Sequence, residues 1–327
     1  MNTTTTDSAS EQTYQSIARA SAWLEDRIIG QQTLIQRLMM TLLCGGHLLV
    51  EGAPGLAKTR AIKELARVIE GDFHRIQFTP DLLPSDITGT EIFRPEDASF
   101  KFQEGPIFHN LILADEINRA PAKVQSALLE AMAEHQVSVG RNTLPLADLF
   151  LVMATQNPIE QEGTYPLPEA QLDRFLMHVQ VGYPSAEDEQ KILDLVRHET
   201  AQIQTESAPP VVSQADVFAA RKALLGLHMT ESVERYIVAL VMATRHPEPE
   251  QAKWIDFGAS PRATIGLDIC ARSLAWLSGR DYVTPEDVQA VAHDVLRHRL
   301  ILTFEADAQG VSADQVIDEL LAGVPVP

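Results

Sequence analysis

His47-Leu-Leu-Val-Glu-Gly-Ala-Pro-Gly-Leu-Ala-Lys-Thr59 is the stretch around which the chain is organised. It opens as a short apolar run, passes through Gly52, Pro54 and Gly55, and closes on Lys58-Thr59. A helical pattern follows at once, with Ile62, Leu65, Ala66 and Ile69 sharing one face. Strand, glycine-rich turn and helix form the context of a phosphate-binding loop, in which backbone N–H groups and a helix N-terminus surround an anion. Gly52, Ala53, Pro54, Gly55, Leu56, Ala57, Lys58 and Thr59 are therefore the candidate binding residues. Lys58 can reach the β and γ phosphates, and the Thr59 hydroxyl can hold Mg²⁺. Ala57 stands where the usual motif has its second glycine. An alanine there is expected to need a helical backbone, which leaves Gly55 to supply the flexible turn. The alternative is an ordinary strand-to-helix loop with an incidental Lys-Thr pair.

Outward from this stretch, strand and helix patterns alternate up to Tyr183-Pro184. Residues 1–12 are polar and read as disordered. Helices are expected over Tyr14–Leu24 and Gln32–Leu43, the second ended by Gly45-Gly46. Strands are expected over Phe73–Phe78, Leu111–Glu116, Leu149–Thr155 and Phe175–Val181. Pro80–Gly89 reads as a turn with a short helix, Thr90–Gly105 as a small hairpin-like insertion, and Ala122–His135 as an amphipathic helix. Gln136–Leu144 reads as a hairpin turning at Gly140-Arg-Asn142. From Ala186 onward the pattern is almost entirely helical: 186–200, 213–226, 231–245, 262–278, 284–296 and 312–321, with a loop at Gln202–Pro210. A domain boundary is expected near Pro184, with α/β structure before it and all-α structure after.

Asp115-Glu116 ends an apolar strand. Burying charge is costly, so adjacent carboxylates at such a point call for a reason. Strand alternation would split their roles: Asp115 facing the phosphate loop and holding Mg²⁺ through water, Glu116 polarising an attacking water as general base. A solvated strand end opening the next helix is the plainer alternative. Asn157, just past the fourth strand, could orient that water or touch the γ-phosphate, although Asn-Pro is also a turn signal. Arg174 precedes the fifth strand, and Arg262 follows Pro261 at a helix start. Arginines on a phosphate stabilise the charge that develops during its transfer; surface salt bridges are the alternative for each.

The chain has 327 residues, 45% of them apolar and 22% charged, as expected for one or two soluble globular domains. Its formal net charge of −19 repels nucleic-acid phosphates and anionic membranes, and no Lys/Arg run offsets it. Cys44 and Cys270 lie far apart in apolar surroundings and read as buried free thiols rather than a disulfide or metal pair. No apolar run approaches the roughly 20 residues of a membrane span. The opening MNTTTTDSAS lacks the basic start and apolar segment of a signal peptide, so a cytoplasmic protein is expected. The histidines show no metal-ligand spacing. Trp254 and Phe257 read as packing rather than a cofactor box, and Tyr165, in Gly163-Thr-Tyr-Pro166, as loop packing with a mobile contact as the alternative.

Taken in order, Gly52–Thr59, Leu111–Ala120, Ala154-Thr-Gln-Asn-Pro158, Leu172-Asp-Arg-Phe175 and Ser260-Pro-Arg262 resemble the motifs of the AAA+ ATPases, and within them the MoxR family. Alanine before the lysine is typical of that family, as are Pro80–Gly89, Gly105-Pro-Ile-Phe108 and Pro121–Met132. The resemblance implies an α/β P-loop NTPase with a parallel five-stranded sheet in the order 5-1-4-3-2, followed by an all-α lid. It implies an N-terminal tail and helix over 1–24, a nucleotide-binding domain over 25–184 and a lid over 185–327. Asn157 matches the first sensor, Arg262 the second, and Arg174 the finger that reaches a neighbour's ATP. Ile28, Ile29 and Gly30 resemble the lining of the adenine pocket. ATP and Mg²⁺ are the implied cofactors. A hexameric ring is implied, with the insertion and the hairpin directed towards its pore. So are protein clients and a partner carrying a von Willebrand A domain.

The leading expectation is thus an ATP-hydrolysing ring that remodels or matures protein complexes. A nucleic-acid motor is the first alternative. Against it, Arg141 is the single basic residue of the hairpin, and Glu91, Glu96, Asp97 and Glu104 outnumber Arg94 and Lys101 in the insertion. A non-hydrolysing nucleotide-dependent scaffold is the second. The presence of every expected catalytic group argues against it.

Overall fold

The computed structural model describes residues 3–96, 98–140, 142–158, 163–200 and 208–327. Asp97, Arg141 and residues 202–207 of the expected Gln202–Pro210 loop fall outside them. Five parallel strands form the central sheet: β1 (Leu48–Gly52), β2 (Phe73–Gln77), β3 (Leu111–Asp115), β4 (Leu151–Gln156) and β5 (Met177–Val181), in the order β5-β1-β4-β3-β2. This is the expected 5-1-4-3-2 arrangement. Every residue of β3 is buried, as are the first five of β4. Helices cover both faces of a parallel sheet, so its inner strands are continuous apolar runs. The edge strands differ: β5 alternates buried and open positions, and β2 buries fully only Ile76.

The helix Lys58–Val68 buries Ala61, Ile62, Leu65 and Val68 beside the sheet, and Gln32–Cys44 is apolar almost all round. Gly45 ends the latter in a left-handed cap with φ of 67°. His47 locks the entry to β1. Its Nδ1 accepts from the Val152 amide at 3.1 Å, so the proton must sit on Nε2, 3.2 Å from the Met132 carbonyl.

By its contacts the chain divides into two units. One comprises the residues up to Leu167 together with Val179–Phe218; the other comprises Pro168–His178 and Ala219–Pro327. The first unit holds the two expected hairpins, Gly89–Arg94 with Ser99–Glu104 and Gln136–Val139 with Asn142–Pro145. Its first helix runs Thr3–Arg27, well beyond Tyr14–Leu24 and into the stretch whose polarity reads as disorder. Burial of Ile17, Ala20 and Leu24 secures the helix, and extending an existing helix costs far less than nucleating one.

The second unit is built on the helices Glu231–Arg245, Pro261–Leu277, Pro285–Leu296 and Ala313–Gly323. Thr230, Ser260 and Ser312 cap three of them through their hydroxyls. A two-stranded pair, Ile255–Phe257 with Ile301–Leu302, interrupts the expected all-helical pattern. Both strands are too short to show a period. Trp254 is buried as expected, whereas Phe257 is 62% exposed. Cys270 is buried and Cys44 half-buried, both as free thiols.

The base of the Gly89–Glu104 hairpin gives a stability test. A Cβ on Gly105 would stand 2.3 Å from the Ile87 carbonyl oxygen and 2.4 Å from the Gly89 nitrogen, both backbone atoms. Gly105→Ala is expected to lower stability by about 1–3 kcal/mol, measured as a fall in Tm.

Candidate functional site

The phosphate-type loop joins β1 to the Lys58–Val68 helix. Gly52 packs so tightly on β5 that a Cβ would stand 2.8 Å from the Val181 carbonyl oxygen. Gly55 turns the loop at φ of 86°, as expected. Ala57 corrects the sequence reading: it is the N-cap, at φ 57° and ψ 11°, and not a helical residue. A left-handed alanine costs roughly 1–2 kcal/mol relative to its ordinary conformation. Ala57 thus holds, without being glycine, a conformation in which glycine is at ease.

The turn opens on a cleft of about 350 Å³ lined by Pro54–Arg60, Asp115, Glu116, Thr155, Gln156 and Asn157. Lys58, Thr59, both carboxylates and Asn157 are thus brought together, while Gly52 and Ala53 stand behind the lining. Lys58 is buried, and its ammonium donates to the carbonyls of Gly52 and, at 3.2 Å, Gln156. Burial pushes its pKa down; Asp115, Glu116 and Glu51 pull it back up.

Asp115 is held from both neighbouring strands. Thr155 of β4 donates to Oδ1 at 2.7 Å, and Arg75 of β2 donates to Oδ2 through Nε at 3.0 Å and Nη2 at 2.6 Å. Glu116 lies just past the strand, at φ 57° and ψ 50°. Simple alternation would send it to the opposite face, yet both carboxylates line the same cleft, because the left-handed backbone ends the strand's period. Its amide donates to Thr155 Oγ1 at 2.9 Å, and its Oε2 meets Gln77 Nε2 at 2.8 Å and Arg119 Nε at 3.2 Å. Arg75, Gln77 and Thr155 were missed by sequence reasoning. The alternating polar positions of β2 were the available signal.

A second cavity of about 140 Å³ in the same unit is lined by Ile28, Ile29, Gly55, Leu56, Ala57 and Pro184, with Ile192, Leu195 and Val196 of the Ala186–Thr200 helix among its walls. Gly30 does not line it and packs instead against Pro184 and Asp188. Arg27, Gln31, Arg60 and Glu189 complete the lining of the cavity, and a mostly apolar slot beside a phosphate-type loop has the character of a base pocket.

Arg174 and Arg262 belong to the second unit. Arg262 Nη1 lies 3.7 Å from Asp173 Oδ2, and Arg174 is half-buried beside that carboxylate in sequence. Tyr165 is 45% exposed, and its backbone carbonyl accepts from Gln125 at 3.0 Å.

Residues 47–177 match the ATPase family associated with various cellular activities (AAA), and 248–320 match the AAA lid domain. The chain is 49% identical to Chaperone MoxR1 of Mycobacterium tuberculosis over 304 residues, covering 92% of this chain and 79% of that one. It is 33% identical to Protein MoxR of Paracoccus denitrificans over 327 residues, 94% and 95% of the two chains. This chain belongs to the MoxR family of AAA+ ATPases. The crystal structure of a candidate ATPase from Cytophaga hutchinsonii superposes with a TM-score of 0.91 at 45% identity, covering 100% of this chain and 99% of that one. The family implies nucleotide binding, and the cleft behind the phosphate-type loop gathers a lysine, a threonine hydroxyl and two carboxylates on one surface.

Lys58 offers a test with a definite sign. The folded protein holds its proton less tightly than the unfolded chain does. The resulting loss of stability is complete below the lowered pKa and fades as pH rises towards the ordinary lysine value of about 10.4. Lys58→Met is expected to raise Tm near pH 7, by a margin that shrinks towards pH 10. Nucleotide binding, followed by titration, should weaken at least about tenfold, roughly the loss of one charge-assisted contact.

Proposed function

We infer that this protein binds and hydrolyses ATP, and that assembled copies use the energy to remodel or mature protein complexes. The observation that carries this reading is the meeting of Lys58, Thr59, Asp115, Glu116 and Asn157 on one cleft behind a phosphate-type loop. The loop amides and Lys58 bind the triphosphate, and the slot walled by Ile28 and Ile29 takes the base. Thr59 and Asp115 would hold Mg²⁺, which when bound neutralises charge on the phosphates. Glu116 takes the proton of the attacking water, and Asn157 orients it. The nucleotide-binding domain is taken as 25–184 and the lid as 185–327, preceded by the segment 1–24.

Arg174 and Arg262 act as phosphate ligands, Arg174 on a neighbour's nucleotide. Hydrolysis then depends on a ring, a hexamer by family likeness. Protein clients fit the exposed aromatic pair of the first hairpin, where Phe93 and Phe100 pack ring to ring at 5.2 Å while remaining 50% and 67% exposed. The relative from Mycobacterium tuberculosis is named a chaperone, which supports the same class of client. A partner carrying a von Willebrand A domain, and a cytoplasmic setting, belong to this reading. No helix among the described residues is long and apolar enough to cross a membrane.

The test is a pair of variants. Glu116→Gln should bind ATP normally and lose about 10²- to 10⁴-fold in turnover, the usual contribution of a positioned general base. Arg174→Ala should also bind ATP but lose the rise in specific activity that accompanies assembly. Parental turnover by Glu116→Gln would sink the assignment of the base.

A further inference from the structure

Three consecutive residues after the Pro285–Leu296 helix grip the segment that carries Arg174. Arg299 commits all five of its N–H donors. Nε donates to Asp173 Oδ1 at 2.9 Å. Nη2 donates to the carbonyls of Asp173 at 3.3 Å and Phe175 at 2.7 Å. Nη1 donates to the carbonyls of Leu176, at 3.1 Å, and Val295. His298 Nε2 meets the Phe175 carbonyl at 3.0 Å, and Arg297 donates to the carbonyl of His178. The Arg299 side chain is only 3% exposed.

The Asp173 carboxylate looks two ways. Besides Arg299 it accepts from Ser260 Oγ, 2.9 Å from each oxygen, and it faces Arg262 Nη1 at 3.7 Å. Ser260 is the N-cap of the Pro261–Leu277 helix, and its Oγ accepts from the Arg262 amide at 3.2 Å. One carboxylate thus joins the backbone on either side of Arg174 to the first turn of the helix that carries Arg262. All these residues lie in the second unit. An arginine needed only to fill space would not require four directed bonds into the short stretch Asp173–Leu176.

We propose that Asp173 and Arg299 are positioning residues that set Arg174 and Arg262 relative to each other, through one part-buried ion pair and the Ser260 bridge. The proposal rests on the reading of both arginines as phosphate ligands. Neither Asp173 nor Arg299 touches nucleotide. Their effect is on the angle and distance at which two guanidinium groups leave the same unit.

The experiment uses the full-length chain with Asp173→Asn, which keeps the side-chain shape and removes the charge. ATP affinity should stay within about threefold, while kcat falls about 10- to 100-fold, the scale set by a displacement of roughly 1 Å in a catalytic group. The decisive readout is a double-mutant cycle. Asp173→Asn should cost clearly less kcat in an Arg174→Ala background than in the parent, because one of its two cargoes is already gone. Ser260→Gly cuts the bridge to the Arg262 helix without touching the ion pair, and glycine costs an N-cap only a few tenths of a kcal/mol. It should lower kcat several-fold in the parent and not at all in an Arg262→Ala background, so it decides the matter if Asp173→Asn does not fold. Multiplicative losses in either cycle, or parental kcat in a folded Asp173→Asn or in Ser260→Gly, would overturn the proposal. Parental turnover by Arg174→Ala would instead remove the underlying reading, and the positioning role with it.

Discussion

A carboxylate at the end of a wholly buried strand must be given hydrogen bonds from its neighbours, or burying it costs several kcal/mol. Asp115 meets that constraint by drawing on both flanking strands, with Thr155 on one side and Arg75 on the other. The demand fixes what those strands must carry at the same level of the sheet. β4 needs a hydroxyl where its apolar run ends, and β2 needs a cation reaching inward from an otherwise open edge. The Asp115 carbonyl also accepts from the Phe78 amide at 2.9 Å, so the backbone and side chain of this one residue tie β2 to β3. The phosphate-type loop hangs from β1, separated from Asp115 only by β4. The strand order therefore sets the width of the cleft, and the partners of Asp115 set its floor.

Two residues lining that cleft, Ala57 and Glu116, hold left-handed backbones without being glycine. Each costs on the order of 1–2 kcal/mol, and each is kept where the chain must change direction next to a phosphate-type site. At Glu116 the effect is specific. The turn ends the strand's alternation and swings a second carboxylate to the side already occupied by Asp115. The Thr155 hydroxyl secures the arrangement from both ends, donating to Asp115 and accepting from the Glu116 amide. Gln77 then fixes the direction of the Glu116 carboxylate from β2.

The sheet was legible in the sequence because its inner strands are buried on both faces. Leu111–Asp115 and Leu151–Gln156 are apolar runs with polar ends, and the glycine-rich turn after β1 announces its own geometry. The groups that hold the site were not legible. Arg75 and Gln77 look like the ordinary polar face of an edge strand until pairing puts Gln77 opposite Asp115. Ala57 was misread because composition reports what a residue prefers and not what its neighbours impose. The Ile255–Phe257 and Ile301–Leu302 pair is too short for a period, and its register depends on a chain reversal through two helices.

The division of chemistry between the units follows from what each can hold rigidly. The first unit carries the loop, the carboxylates and Asn157 on strand ends, where sheet hydrogen bonding fixes positions closely. The two arginines have no strand end to stand on: Arg174 follows a four-residue helix and Arg262 opens a longer one. Short helices fray, and an isolated turn holds a long side chain poorly. In the second unit the missing rigidity comes from side chains. Arg297, His298 and Arg299 bond to backbone carbonyls between Asp173 and His178 as a neighbouring strand would. On the reading proposed above, that substitution has a functional meaning. Groups that bind nucleotide are anchored by backbone ladders that do not change. Groups that respond to assembly are anchored by a charged network, in which Arg262 faces a carboxylate it can exchange for a phosphate.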